Sequence, residues 1–137
     1  MGFLIDTNVL SELRKQQRTN PGVKQWFDSV AGDSLYLSVL VVGEIRNGIE
    51  RLRYRDPIAA NNLEAWLLRV ETDMAERILP VTSNIADRWG RINSPTPLPA
   101  IDSLLAATAL EHNLVLVTRN IVDVERTGVR CLNPFTP

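Results

Sequence analysis

Phe3-Leu4-Ile5-Asp6-Thr7-Asn8-Val9-Leu10 is the stretch whose reading decides the fold. Three apolar residues in a row suit a short strand buried on both faces, and they deliver Asp6 to its carboxyl end. Thr7 and Asn8 follow as small polar residues suited to starting a helix. Open α/β sheets keep their ligand crevices at the carboxyl ends of parallel strands. Asp6 is therefore either a helix-start residue or part of a site, and the answer depends on whether other acids reach the same place.

Working outward, the pattern alternates short apolar runs with helical periodicity. Val9 to Lys15 is compatible with a short helix, and Pro21 suits the first turn of another over Gly22 to Val30, with Val23, Trp26, Phe27 and Val30 on one face. Gly32-Asp33-Ser34 is a turn signal before a second strand, Leu35-Tyr36-Leu37. Ser38 is a good N-cap, and Val41, Ile45, Ile49 and Leu52 form the stripe of the helix it opens. Asp56-Pro57 opens a long helix reaching to Arg77, with Ile58, Leu63, Trp66, Leu67, Val70 and Met74 as its apolar positions.

Ile78-Leu79-Pro80-Val81 is a third strand, which its proline disfavours as an internal one. Ser83 to Asn93 is helical, with Ile85, Ala86, Trp89 and Ile92 inward. The proline-rich Ser94 to Pro99 is an extended loop before the small-residue helix Ala100 to Leu110. Leu114 to Val117 is a fourth strand and Val129 to Leu132 a last one. This rhythm predicts one domain over residues 1–137, a three-layer α/β/α fold with a mostly parallel four- or five-stranded sheet.

Composition removes whole classes of chemistry. Fifteen Lys and Arg against sixteen Asp and Glu leave a net charge of −1, so any nucleic-acid role needs a local basic patch. One cysteine, Cys131, excludes an internal disulfide, and one histidine, His112, excludes two-histidine nuclease and zinc-protease mechanisms within a chain. The longest nearly apolar run, Leu35 to Val42, falls well short of the ~20 residues of a membrane span. No basic segment leads into an apolar signal core, so a cytoplasmic protein is expected. The remaining chemistry belongs to carboxylates, hydroxyls, amides and a metal.

Three acids stand where a parallel sheet would gather them: Asp6 after the first strand, Glu44 in the second turn after Ser38, and Asp102 in the first turn of the helix before the fourth strand. Thr118 and Asn120 finish that strand, and Asp123 comes three residues later. Clustered carboxylates repel, which raises a pKa or recruits a cation, and all-oxygen donors suit Mg²⁺ or Mn²⁺. Taken singly, each has a plain structural explanation: a cap, a solvated helix residue, a helix-dipole partner or a turn former. Glu12, Glu76 and Asp87 lie away from strand ends and read as surface charges.

The stretches Leu4 through Glu12, Leu37-Ser38 through Glu44-Ile45, Asp102 through Leu110 and Val117-Thr118-Arg119-Asn120 resemble a PIN domain. The closing Gly128-Val129 and Asn133-Pro134-Phe135 are similar to the tail of VapC-type toxins of toxin–antitoxin pairs. The resemblance covers essentially the whole chain in order. It implies a Mg²⁺- or Mn²⁺-dependent endoribonuclease acting on RNA, a homodimer, and restraint by a cognate antitoxin. It also implies that Asp6, Glu44 and Asp102 hold the metal, with Thr7, Asn8 and Thr118 orienting carboxylates or bound water.

Many PIN domains carry a fourth acid where this chain has Asn120. An amide can bind a metal-bound water but brings no charge, and Asp123 is the candidate substitute. Two other classes compete: a PIN scaffold that binds RNA or a partner without cutting, and an aspartyl-phosphate phosphatase. The phosphatase needs a second Asp two positions after Asp6, where Asn8 stands. Arg14, Lys15, Arg18, Arg46, Arg51, Arg53 and Arg55 are candidates to hold RNA, against a solvated face or an antitoxin contact. Trp26, Trp66 and Trp89 lie on apolar stripes and read as core or dimer contacts before stacking platforms.

Overall fold

The computed structural model describes the whole chain, Met1–Pro137. Five strands, β1 (Phe3–Ile5), β2 (Leu35–Ser38), β3 (Ile78–Leu79), β4 (Val115–Val117) and β5 (Cys131–Leu132), form one sheet in the order β3-β2-β1-β4-β5. Every pairing is parallel. The helices are α1 (Thr7–Leu13), α2 (Pro21–Ser29), α3 (Val39–Arg53), α4 (Pro57–Asp73), α5 (Ser83–Ile92), α6 (Ala100–His112) and α7 (Ile121–Val124).

The topology locates the crevice. From β1 the chain steps through β2 to the β3 edge, and its helices α1 to α4 pack on one another. It then crosses to β4 and β5 on the other side of β1, with α5, α6 and α7 packed together. Right-handed crossovers running in opposite directions put these two groups on opposite faces of the sheet. The neighbours β1 and β4 thus send their chains to opposite faces, which opens a gap beyond their carboxyl ends. Asp6 and Thr118 stand at that gap, one position beyond the Ile5–Val117 pair.

Leu4, Ile5, Leu37, Leu116 and Val117 are fully or almost fully buried in the sheet, as strands covered on both faces must be. Val9, Val41, Ile45 and Ile49 cover one face. On the other, Ala106, Ala107 and Ala109 let α6 lie close, and all three are buried. β3 is the edge strand that Pro80 favours.

The elements differ from the expected ones mainly at their ends. α1 starts at Thr7 rather than Val9, because the Asp6 side chain accepts the Thr7 N–H. It ends at Leu13, before the left-handed Gln16 (φ 54°). α4 stops at Asp73 and the chain reaches Arg77 through a 3₁₀ turn, Ala75–Arg77. β4 and β5 begin one and two residues later than expected, at Val115 and Cys131.

Three apolar residues assigned to the core are outside it: Phe27, Ile58 (76% exposed) and Ala86. Ile58 sits in the first turn of α4 on the side opposite Ala60 and Leu67, which are the fully buried residues of α4. Trp26 does pack inward, edge-on to Phe3 at 5.5 Å.

Candidate active site

Asp6 is 5% exposed and its backbone N–H still belongs to the sheet, bonded to the Val117 carbonyl at 2.9 Å. Its side chain is held from both sides. Oδ1 accepts the Thr7 N–H at 2.6 Å, and Oδ2 accepts the hydroxyl of Thr118 at 2.7 Å. The carboxylate is thus both cap and site, and each oxygen keeps lone pairs for a further ligand.

Glu44 arrives from α3, whose first turn is fixed by Ser38 accepting the Leu40 N–H. Glu44 Oε1 accepts the Thr7 hydroxyl at 2.5 Å, so Thr7 bridges two acids through its N–H and its O–H. Asp102 comes from the opposite face of the sheet in the first turn of α6. Ser103, next to it, is buried, accepts the Trp89 indole N–H at 2.8 Å and faces the Pro99 and Ala100 carbonyls. That latch fixes the start of α6. A serine next to Asp102, ahead of the run of small apolar residues, was its only trace in the sequence.

The Asp102 carboxyl is held above the usual carboxylate range, first by burial and then by the charges of Asp6, Asp123 and Glu44. The four acids therefore share one field. The Asp123 charge acts on Asp102 more strongly than that of Glu44, although Asp123 is exposed on α7. Asn120 is exposed, and its backbone N–H bonds the Thr118 hydroxyl oxygen at 3.1 Å. Asn8 is exposed at the start of α1, and the carboxylates are oriented by Thr7 and Thr118 rather than by Asn8.

No ion pair involves Asp6, Glu44, Asp102 or Asp123. The crevice is a concentration of negative charge that no ion pair within the chain offsets. No three His, Cys, Asp or Glu side chains stand close enough to enclose a metal by themselves, and Glu44 is hydrogen-bonded to Thr7. Mg²⁺ takes one or two carboxylates directly and keeps several waters, so an open, all-oxygen, uncompensated site fits it in donor chemistry and charge.

A family model described as PIN domain matches residues 3–127. The chain belongs to the PIN-domain family. Among curated relatives of this PIN-domain chain, VapC ribonuclease Y4jK of Sinorhizobium fredii is 32% identical over 142 residues, spanning 98% of this chain and 99% of that protein. Toxin FitB of Neisseria gonorrhoeae is 32% identical over 140 residues, spanning 97% and 98%. The crystal structure of FitAcB from Neisseria gonorrhoeae matches the PIN fold described above with a TM-score of 0.88 at 33% identity, over 96% of this chain and 97% of that one. VapBC2 from Rickettsia felis, bound to a DNA fragment from its promoter, matches at 0.73 with 15% identity, a likeness of fold.

The basic residues around this PIN crevice divide into two groups. Arg46 and Arg53 are engaged with Glu50 and Glu64, tying α3 to α4, and Lys15 pairs with Glu12. Arg14 and Arg55 make no ion pair and line a cavity shared with Thr7 and Glu44. Glu12 is no idle surface charge: it accepts the Asn20 N–H at 2.8 Å and the Lys15 ammonium at 3.0 Å, joining α1 to the start of α2. The Asn20 bond, with Lys15 second, holds its carboxyl below the usual range. Arg119 lies 3.8 Å from the ring centroid of Phe135, a cation–π contact between the end of β4 and the C-terminal tail.

Proposed function

We propose that this chain is the toxin of a type II toxin–antitoxin pair, an endoribonuclease that hydrolyses RNA phosphodiester bonds with Mg²⁺ or Mn²⁺ and is neutralised by a cognate antitoxin. The observation that carries the reading is that Thr7 and Thr118 tie the buried Asp6 carboxylate to Glu44 and to the end of β4 at the switch between β1 and β4, with Asp102 at the start of α6 within electrostatic reach of these acids and of Asp123.

Asp6 and Asp102 are the direct metal ligands in this account, and Glu44 the third acid. A bound ion supplies a water of lowered pKa and offsets charge on the phosphate. Thr118 fixes the Asp6 carboxylate, and Thr7 holds Asp6 and Glu44 in a set relation. The reaction such a site would support is hydrolysis, water adding to phosphorus as the 3′ oxygen leaves in line with it and takes up a proton. Asn120 offers an amide for a bound water, and Asp123 supplies the charge that Asn120 lacks. The likeness to a VapC ribonuclease and to toxin FitB supports the toxin reading with an antitoxin as partner, and a homodimer is proposed as the working assembly.

The test is cleavage of RNA by purified protein with Mg²⁺ or Mn²⁺. Cleavage that stops in EDTA and in Asp6→Asn supports the site. Cleavage that survives both assigns the chemistry elsewhere. The second reading, a PIN scaffold that binds without cutting, has Asn120 and the open acid cluster in its favour. Metal-dependent turnover lost in Asp102→Asn disposes of it.

A further inference from the structure

Asp102 is carried by a helix whose start has no side-chain cap. The loop before α6 holds Pro95, Pro97 and Pro99, which have no N–H to donate, and Pro99 takes the N-cap position without a side-chain oxygen. What holds that start comes from α5, which supplies none of the four acids of the crevice. The Trp89 indole N–H donates to the Ser103 hydroxyl at 2.8 Å, and Asn93 Oδ1 accepts the Leu98 N–H at 2.8 Å. Trp89 and Asn93 are four residues apart, so both bonds leave one face at the end of α5.

Ser103 is fully buried, and its hydroxyl is used completely. It accepts from Trp89 and has one proton to give, facing the carbonyls of Pro99 at 2.9 Å and Ala100 at 3.1 Å. Thr108, the other buried hydroxyl of α6, bonds only the Leu104 carbonyl of its own helix. Ser103 reaches outside its helix, and it is the residue next to Asp102. The apolar contacts of Leu105, Ala106, Ala107 and Ala109 bury α6 but have no direction. A hydrogen bond does, and a slide or tilt of the first turn that stretched it would carry the Asp102 carboxylate away with it.

We infer that Trp89 and Ser103 are positioning residues for Asp102. Their bond sets where the first turn of α6 stands, and so how far Asp102 lies from Asp6 across the crevice. The inference rests on the metal-site reading and deepens it. Mg²⁺ demands near-ideal octahedral geometry, so a carboxylate out of place is a poor ligand for it.

The experiment measures Mn²⁺ affinity by calorimetry and RNA cleavage kinetics for wild type, Trp89→Phe, Ser103→Ala and the double variant. Trp89→Phe keeps an aromatic ring and the Ser103 back bond while removing the donor, and it carries the test alone if Ser103→Ala does not fold. Each single variant lowers Mn²⁺ affinity by about tenfold or more, the range for groups that orient metal ligands. At fixed Mn²⁺, kcat falls while KM for RNA is unchanged. The double variant is no worse than Ser103→Ala alone, because both changes remove the same bond. Two controls keep wild-type affinity: Arg88→Gln, which unties α5 from Glu111 at the far end of α6, and Gly22→Ala, which strains the chain at the start of α2.

Wild-type Mn²⁺ affinity in the latch variants, in a protein that cuts RNA, overturns the positioning role and leaves the nuclease standing. Losses that add in the double variant overturn the shared latch. A loss in Gly22→Ala equal to theirs reduces the effect to global stability, which also overturns it. Wild-type protein that neither binds Mn²⁺ nor cuts RNA overturns both the latch and the nuclease.

Discussion

The hydroxyl of Thr118 donates a 2.7 Å hydrogen bond to Oδ2 of Asp6, joining strand ends 112 residues apart in sequence. Both residues are buried, and the bond runs between β1 and β4, where the chain directions diverge. Thr118→Val keeps the shape and removes the donor. RNA cleavage should fall by about 10–100-fold while the folded spectrum is kept, and Thr118→Ser should recover most of it. Full activity in the valine variant would show that Asp6 needs no such support.

Asp102 gives a prediction about stability and pH. Its carboxyl is raised by burial first, then by the neighbouring charges of Asp6, Asp123 and Glu44. A carboxyl raised in the folded state favours folding while protonated, and that contribution is lost as pH rises through the folded pKa. In EDTA at neutral pH, Asp102→Asn should therefore melt at a higher temperature than wild type. The difference should shrink as pH falls below the carboxylate range, where both side chains are neutral. Mn²⁺ should raise the melting temperature of the wild type and leave that of Asp102→Asn nearly unchanged.

Asp123 and Asn120 exchange roles in this account. Asp123→Asn removes a charge that Asp102 feels more strongly than that of Glu44. Mn²⁺ affinity measured by calorimetry should drop by roughly tenfold, within the range for groups that support a metal site. Asn120→Asp should move affinity the other way. Equal affinities in all three proteins would remove the fourth acid from the site.

The C-terminal tail is strapped across the start of α2, and one glycine permits it. A Cβ on Gly22 would stand 2.3 Å from the Pro134 carbonyl oxygen and 2.8 Å from the Thr136 nitrogen, both backbone atoms. The Asn20 side chain binds Thr136 there through three hydrogen bonds. Gly22→Ala should cost about 1–3 kcal/mol in a denaturant titration, the usual range for overpacking. It should also free Phe135 from Arg119. An unchanged midpoint would mean the tail contributes nothing to stability.

The sheet and its acids were legible because their signals are local. Apolar runs ending in Asp6 and in Thr118, and Ser38 ahead of a clean helical stripe, fix strand and helix without tertiary information. What was hidden depends on pairing across distance. The strap of Asn20 on Thr136, the Trp89–Ser103 latch and the Arg46–Glu64 pair join residues far apart in sequence, and no periodicity marks them. Ile58 misled for a local reason: nine residues before the buried Leu67, it falls on the opposite side of α4 from the apolar stripe. Glu12 looked idle because its partners, the Asn20 N–H and Lys15, become visible only once the turn after α1 is built.

The central claim is that Asp6, Glu44 and Asp102 form one metal site that cuts RNA, and a single comparison tests it most directly. Wild type, Asp6→Asn and Asp102→Asn are incubated with RNA in Mn²⁺ or in EDTA, and new 5′ ends are mapped. The account predicts discrete cleavage by the wild type in Mn²⁺ alone, and none by either variant under any condition. The same ends produced by the variants, or by the wild type in EDTA, would contradict it.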